Sequence, residues 1–569
     1  MENILKKSMF VFFLVFLFSV SFTTSNDFSQ DLGRHLKLGE IIVENWSIPK
    51  TNLFSYTYPS FKFINHHWFS EVLFHLISSF SGLSALIFLK VVLFIFAGYF
   101  TVKGALKAGK STIVFFLSPA FFLLLIDRLN IRPELFGYLF FALLYYVLFF
   151  QSNQKLWYTA PFILGLWINT HISFVLGLFL FAVFIMPRLV HRTKRMKLLL
   201  LSTIVALCIN PHGVVGLLYP FSIFRNYGYT IAENQNIFFM NSYISNMSIR
   251  YFFFISPFVL FALLILLIKQ KYDLFTVLLV FFMLPFWQVR HLPFFVFASI
   301  APVSYAYTQT IPFVKKMCRQ HVGFIKTTFI LIFYSVISVC ILLFVQDRYH
   351  LIFDTQKTFG YGFDESQKEA AEFVISKDLP RNIFNNFDIG GYAIYGLYPA
   401  YKVFVDNRPE AYPADFFKNI YIDMQYDENL RTKVFSEYDI HTIFFGHSDG
   451  TPWGIQFLSR ISQDPKWKMV FLNDTVVVMT DDPDHIDIRN NSDHISKLIN
   501  KQTRYIPLLH LYSTLSIMGQ NDLAMNAFSK AQKINPDSCF IKQTIYKKNR
   551  DNPMFFATDD IKQKAWWCF

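Results

Sequence analysis

Residues 84–100 read SALIFLKVVLFIFAGYF and residues 327–345 read TTFILIFYSVISVCILLFV. Each run is long enough to cross the hydrocarbon core of a bilayer, which takes roughly 17–25 residues of helix. The rest of the chain is of the same kind: 569 residues, 53% apolar, 16% charged, with a mean hydropathy of +0.35. This composition excludes an ordinary soluble protein and indicates a mainly α, polytopic membrane protein. The formal charge of +13 does not point to nucleic acid, because Lys and Arg gather in the cytoplasmic loops of such proteins. Phe occurs 71 times against 9 Trp, so aromatic rings serve as apolar filler and do not argue for sugar stacking. The five cysteines are scattered without CxxC or metal spacing, and indicate neither a disulfide framework nor a zinc site.

Working outward from these runs, basic residues assign sides. Lys6 and Lys7 precede the apolar run 8–22, which puts the N-terminus in the cytoplasm and residues 26–70 outside. A cleaved signal peptide is the alternative reading of that run, and leaves the downstream orientation unchanged. A span over about 72–102 returns the chain to Lys103, Lys107 and Lys110. Spans near 111–126 and 133–150 then expose DRLNIRPE (127–134) outside. The segment 158–187 starts and ends on the cytoplasmic side yet is too long for one crossing. Its polar break at Asn169-Thr170-His171 predicts two short helices with a buried tip. One long tilted helix is the alternative. The span 197–223 is interrupted by NPHG (210–213). Spans near 251–268, 272–288, 292–311 and 324–345 bring the total to about 10–12 membrane helices, and residues from 346 onward fall outside.

From about 347 the composition turns soluble. RNIFNNF, YKVFVDNR, IHTIFFGH, WKMVFL and TVVVMTD read as short strands, ESQKEAAEFVIS as an amphipathic helix and DIGGYAIYGLY as a Gly-hinged helix start. Residues 347–490 therefore form a small extramembrane α/β domain. Gly390-Gly391 lacks the GxGxxG spacing of a nucleotide fingerprint, and Asp406 with Arg408 reads as a structural ion pair. Residues 491–569 form a helical C-terminal region in which 508–538 has the helix–Gly–helix layout of one tetratricopeptide unit, a helical hairpin.

Within 1–346 the polar clusters converge on the outer side. They comprise Asp27, Asp31, Arg34, His35, His66, His67 and Glu71, then Arg128 and Arg132, then Glu233, Arg290 and His291. Asn169, His171 and His212 point the same way by the parity of the spans. A lone Arg–carboxylate pair at a span end is ordinarily an anchor; the convergence is what suggests chemistry. An acid beside arginines at the outer leaflet suits transfer from a lipid phosphate. Arginine forks match phosphate oxygens and offset charge on a phosphate leaving group, while a carboxylate can act as general base on an acceptor hydroxyl.

DLGRHLKLGEIIVENWSIPKTNLFSYT (31–57) and NHHWFSEVLFHLI (65–77) resemble the first external loop of a bacterial branch of the GT-C superfamily of membrane glycosyltransferases. NIRPELFGYLFF, LWINTHISFVLGL, INPHG and VFVDNRPE resemble later signatures of that branch. The resemblance implies a GT-C-like fold, a polyprenyl-phosphate-linked sugar donor and a catalytic acid in the first loop. Asp31 stands at the acid's position and His35 follows at the family spacing, which makes these two the catalytic candidates. Arg34, His67, Glu71, Arg128, Arg132, Asn169, His171, His212, Glu233, Arg290 and His291 are the candidate substrate-binding residues. The chain departs from the pattern where many members have adjacent acids: Leu32 and Gly33 follow Asp31, His66-His67-Trp68 replaces His-Glu-Trp, and Asn52 stands where Asp is common. The cofactor is left unassigned, with a divalent metal open. The expected partners are the bilayer, the polyprenyl-phosphate sugar donor and an acceptor the sequence does not name; nucleic acid is not among them. The expected location is the bacterial inner (cytoplasmic) membrane, multi-pass, with a periplasmic C-terminal domain. A transporter or flippase, and a non-catalytic envelope assembly protein, are the alternatives. The lack of an inverted repeat and of nucleotide motifs counts against the transporter.

Overall fold

The structure is a computed structural model that describes residues 2–25, 28, 31–189, 194–221, 227–243, 247–317, 322–348, 357–364 and 366–550. Asp27 lies outside the described residues. The chain begins with the apolar α1 (Glu2–Ser21), followed by two 14-residue helices, α2 (Leu32–Asn45) and α3 (Trp68–Ser81). The bundle continues through α4 (Ala85–Ala108), α5 (Ser111–Phe122), α6 (Glu134–Phe150), α7 (Ala160–Thr170), α8 (Phe174–Leu189), α9 (Lys194–Cys208) and α10 (Gly213–Leu218). It ends with α11 (Ile237–Tyr243), α12 (Met247–Ile268), α13 (Tyr272–Trp287), α14 (Leu292–Met317) and α15 (Val322–Val345). Among the described residues five helical stretches are long and apolar enough to cross a membrane, and six if the pair α9–α10 is one bent span. The shorter apolar helices α6, α8 and α13 pack with them.

Three features of the sequence reading meet the structure differently. The expected breaks are present: α7 and α8 are separated at His171–Ser173, and α9 and α10 meet at 101° across NPHG. The single span expected over 72–102 is instead two helices. Gly82, at φ 78°, ends α3 in a left-handed conformation that a side chain would resist, and α4 starts at Ala85. Helix α3 packs along α2 and falls outside the spanning helices. One cysteine, Cys539, is disulfide-bonded.

The α/β domain holds a four-stranded sheet in the order β1 (Ile383–Asn385), β2 (Thr442–Gly446), β4 (Val476–Thr480), β3 (Lys468–Leu472). The first pair is parallel and the other two are antiparallel; Ile443 lies opposite Met479 and Phe444 opposite Val478. Strands β2 and β4 are buried on both faces, which is why they read as unbroken apolar runs. The strand expected at 401–408 does not join this ladder. Its backbone is held by side chains instead: Asn385 accepts from Phe404 N at 2.9 Å and donates to Val405 O at 2.7 Å, and Thr57 donates to Phe404 O at 2.9 Å. Helix α16 (Ser366–Ser376) and helix α17 (Gly390–Leu397) cover the face toward the bundle. The opposite face shares one core with the C-terminal hairpin, α18 (Tyr505–Ile517) and α19 (Asn521–Ile534), whose Leu508, Leu511 and Phe528 pack there. Phe63 of the first loop enters the same core. The loop is pinned by the expected ion pair: Arg408 grips Asp406 through two bonds of 2.7 Å, donates to Asn52 at 2.6 Å and stacks on Phe54 and Phe63. All three polar side chains are buried, so the pair joins loop to domain and leaves nothing facing solvent.

Candidate active site

The site is assembled around α2, and two glycines decide how closely it can be approached. A Cβ on Gly33 would lie 2.7 Å from the carbonyl oxygen of Gly391, and one on Gly39 would lie 2.1 Å from that of Glu71. Helix α2 is therefore clamped between α17 of the α/β domain and α3, at contacts only a hydrogen can occupy. The Gly390-Gly391 pair serves this packing and not a nucleotide. Asp31, immediately before α2, is brought by it to the seam between bundle and domain.

At that seam the Asp31 carboxylate, a quarter exposed, accepts from Asn407 Nδ2 at 2.6 Å. Arg34 lies 3.5 Å and Arg132 Nε 3.4 Å from its oxygens. Arg34 also donates to Asn407 Oδ1 at 3.1 Å, closing a ring around the acid. Behind it His35 Nδ1 meets Glu71 Oε1 at 2.8 Å, and Asn65 donates to Glu71 Oε2 at 2.5 Å. An arginine only donates, so the 3.3 Å contact between Arg34 and His35 Nε2 requires Nε2 to accept and Nδ1–H to donate to Glu71. Both ring nitrogens of His35 are thus engaged. Burial, with Arg34 and Arg132 nearby, pushes its pKa well below the ordinary value, which fits a neutral ring. The geometry favours His35 as a positioning group for Arg34 over a proton carrier. Glu71, wholly buried, is raised by that burial to about 7 despite Arg34 and Asn65.

A second group lies across the seam. Glu233 accepts from Arg132 at 3.1 Å and 3.2 Å and from Arg128 at 3.2 Å. Burial would raise its pKa, but Arg132, Arg128 and Arg290 overcome that and hold it below the usual range. Arg290 bonds Asn234 at 2.8 Å and Glu134 at 3.2 Å. Arg34, Arg128, Arg132 and Arg290 thus face Asp31, Glu71, Glu134 and Glu233, with Arg132 joining the two halves. Histidine rings extend the cluster toward the α7–α8 break: His35 lies 5.4 Å from His67, and His67 lies 4.1 Å from His66 and 5.0 Å from His171. At the break Ser173 N donates to His171 Nδ1 at 3.2 Å, and Ser70 donates to Thr170 O at 3.0 Å. The irregular backbone is satisfied by protein, as its position requires.

Asp31, Arg34, His35, His67, Glu71, Arg128, Arg132, His171, Glu233 and Arg290 therefore form one connected group. Three expected residues stand apart. Asn169 accepts from Trp68 Nε1 at 2.9 Å and donates to Gly165 O and Ile209 O at 2.7 Å and 2.8 Å, so its amide is fully engaged in tying helices together. His212 opens α10, its backbone bonded to Asn210, and His291 lies beside Trp287. No hydrogen bond or ion pair among the described residues links either to Asp31. Sequence reasoning missed Asn407, although it sits in the quoted VFVDNRPE, and Asp388, which precedes the glycine pair. Asp388 borders a cleft beside Asp31, Arg132 and Glu233, and burial together with Asp449 and Asp31 raises it to about 7. Among the described residues no three His, Cys, Asp or Glu side chains are grouped to hold a metal ion. The carboxylates of the cluster are directed at arginines and amides instead.

No family model matches the chain, and no relative of known function is similar enough in sequence to match it. Solved structures do match. The archaeal oligosaccharyltransferase AglB from Archaeoglobus fulgidus, in complex with an inhibitory peptide and a dolichol-phosphate, superimposes with a TM-score of 0.55 at 11% identity, over 80% of this chain and 70% of that one. The fold is that of the GT-C membrane glycosyltransferases. A second Archaeoglobus fulgidus structure, tethered to an acceptor peptide containing the NVT sequon, gives a TM-score of 0.55 at 12% identity over 80% and 70% of the two chains. ArnT from Cupriavidus metallidurans bound to undecaprenyl phosphate is more distant, with a TM-score of 0.47 at 10% identity over 83% and 97%.

Proposed function

We propose that the chain is a membrane glycosyltransferase that moves a sugar from a polyprenyl-phosphate-linked donor to an acceptor hydroxyl. The observation that carries this reading is the seam itself: a braced acid, Asp31, shares Arg132 with a paired-arginine anion site. An Asp31 oxygen takes the proton of the acceptor hydroxyl as that oxygen bonds to the anomeric carbon. The bond from the anomeric carbon to the phosphate oxygen breaks, and the electron pair leaves with the phosphate. Arg128 and Arg132 offset the charge that develops there. Glu233 occupies those arginines as a carboxylate in place of the phosphate, and swings aside when the lipid enters. The four-against-four balance of charge makes this exchange of one anion for another necessary. His35, Glu71 and Asn65 hold Arg34, and Arg34 with Asn407 holds Asp31. The fold shared with AglB, which binds dolichol-phosphate in its structure, supports the same reading. On the charge pattern of the loops, the seam and the α/β domain face the periplasm of a bacterial inner membrane.

Sugar transfer in proteoliposomes tests the assignment with two variants. Asp31→Asn keeps shape but cannot accept a proton, and turnover should fall about 10²–10⁴-fold with lipid binding intact. Arg132→Lys keeps charge but loses the fork, and polyprenyl-phosphate binding should weaken. Near wild-type turnover by Asp31→Asn refutes the base role and shifts weight to a transporter.

A further inference from the structure

Beside the seam, inside the α/β domain, lies a cavity of about 210 Å³ at the ends of β1 and β2. It has room for several waters. Asp364, Asp388 and Asp449 line it together with Gln367, Asn386 and His510, and none of its lining residues is Lys or Arg. Two of the acids are partly satisfied: Asp364 accepts from Ser366, and Asp449 from Thr451 N at 2.9 Å and Asn386 at 3.0 Å. Asp388 has no hydrogen bond or ion pair among the described residues, and its side chain opens on the cleft. Gln367 supplies an independent observation. It is 2% exposed, and its buried carbonyl oxygen has no partner. His510 Nδ1 on the same wall is likewise unpartnered. A buried acceptor left without a donor costs about 1–3 kcal/mol, so these atoms call for a ligand that donates. Burial holds His510 down to about 4, so the ring does not offset the acids.

We infer that this cavity is the acceptor subsite, and that it takes a hydroxyl-rich ligand carrying a protonated amine, an amino sugar being a small member of that class. The assignment rests on the glycosyltransfer reading. Carboxylates, an amide oxygen and an imidazole nitrogen all accept, which matches a ligand whose hydroxyls and ammonium group donate. Confined negative charge without a basic neighbour on its wall selects a cation over a neutral sugar. Asp388 stands between this cavity and Asp31, so a hydroxyl of the bound ring is delivered toward the base. The acid that many GT-C sequences place next to the first is thereby replaced by one from the other domain, used for binding.

Glucosamine and glucose are the probes, titrated by ligand-observed NMR against the full-length protein in nanodiscs. Glucosamine should bind at least about tenfold more tightly than glucose. Asp388→Asn, which disturbs no internal hydrogen bond among the described residues, should weaken glucosamine about tenfold and glucose little. Gln367→Met, close in shape, should weaken both. Equal binding of the two sugars, unchanged binding in both variants, or competitive displacement of glucosamine by magnesium ion would each overturn the inference. Polyprenyl-phosphate binding measured on the same sample separates the two readings. Lipid binding without glucosamine binding removes the subsite alone, whereas glucosamine binding without lipid binding removes the donor assignment.

Discussion

Gly39→Ala is the substitution that probes most directly how α2 is held. In an exposed helix this change adds about 1 kcal/mol of stability through propensity. Here the new methyl would lie 2.1 Å from the Glu71 carbonyl oxygen, 2.6 Å from its carbon and 2.8 Å from His75 Cβ. Two of those atoms are backbone and cannot rotate away. Restoring ordinary contact near 3.4 Å requires α3 to withdraw by about 1.3 Å. Overpacking of this kind costs about 1–3 kcal/mol, which cancels or exceeds the propensity gain. The effect on function is larger, because α3 carries Glu71 and Glu71 holds His35 at 2.8 Å. A shift of more than an ångström breaks that bond, releases Arg34 and loosens Asp31. Misplacement by about 1 Å at a reacting centre costs on the order of 10²-fold. The expected result is a melting temperature at or below wild type in detergent, with turnover in proteoliposomes reduced about 100-fold. Gly165→Ala in α7 is the control: its Cβ would meet Ala206 at an ordinary 3.5 Å, so stability should hold or rise and activity should persist. A stabilised, fully active Gly39→Ala protein would refute the close α2–α3 crossing and the chain of positioning built on it.

Two further outcomes follow from the electrostatics and the proposed topology. His35 and His67 are held well below the usual 6.5 and His66 down to about 3, in each case mainly by burial. The unfolded chain therefore binds protons that the folded chain refuses, and stability is lost as pH falls through 6.5. Glu71, raised to about 7, acts in the opposite sense between pH 4.5 and 7; so does Asp388, more weakly because it opens on the cleft. The net loss should be about 1.4–2.7 kcal/mol per pH unit below pH 6, measured as melting temperature against pH. Replacing the three histidines by Gln should flatten that slope, and an unchanged slope would assign the loss elsewhere. For topology, single cysteines at Asn153 and Lys433 in intact cells should react with an impermeant thiol reagent only at position 433. Labelling at 153 would invert the proposed orientation.

Much of this protein is written locally. Apolar runs longer than a bilayer is thick leave a chain no alternative to spanning helices, so the bundle could be read directly. The breaks at Asn169–His171 and at NPHG announce themselves by polar residues, Pro and Gly inside such runs. Strands β2 and β4 were legible because burial on both faces demands continuous apolar side chains. Asp31, Arg34 and His35 lie within one helical turn, so their neighbourhood was also visible. Local pattern fails where a partner lies far away in sequence. Residues 401–408 have the composition of a strand, but side chains of Asn385 and Thr57 claim their backbone. Helix α3 is apolar enough to extend α4, but Gly82 ends it and α2 takes its packing face. Above all, Asn407 reaches Asp31 from 376 positions away, and Arg132, Glu233 and Glu71 arrive from three other segments. No periodicity encodes those meetings. They exist because Gly33 and Gly39 have no side chains, which lets one short helix lie in contact with both the domain and α3.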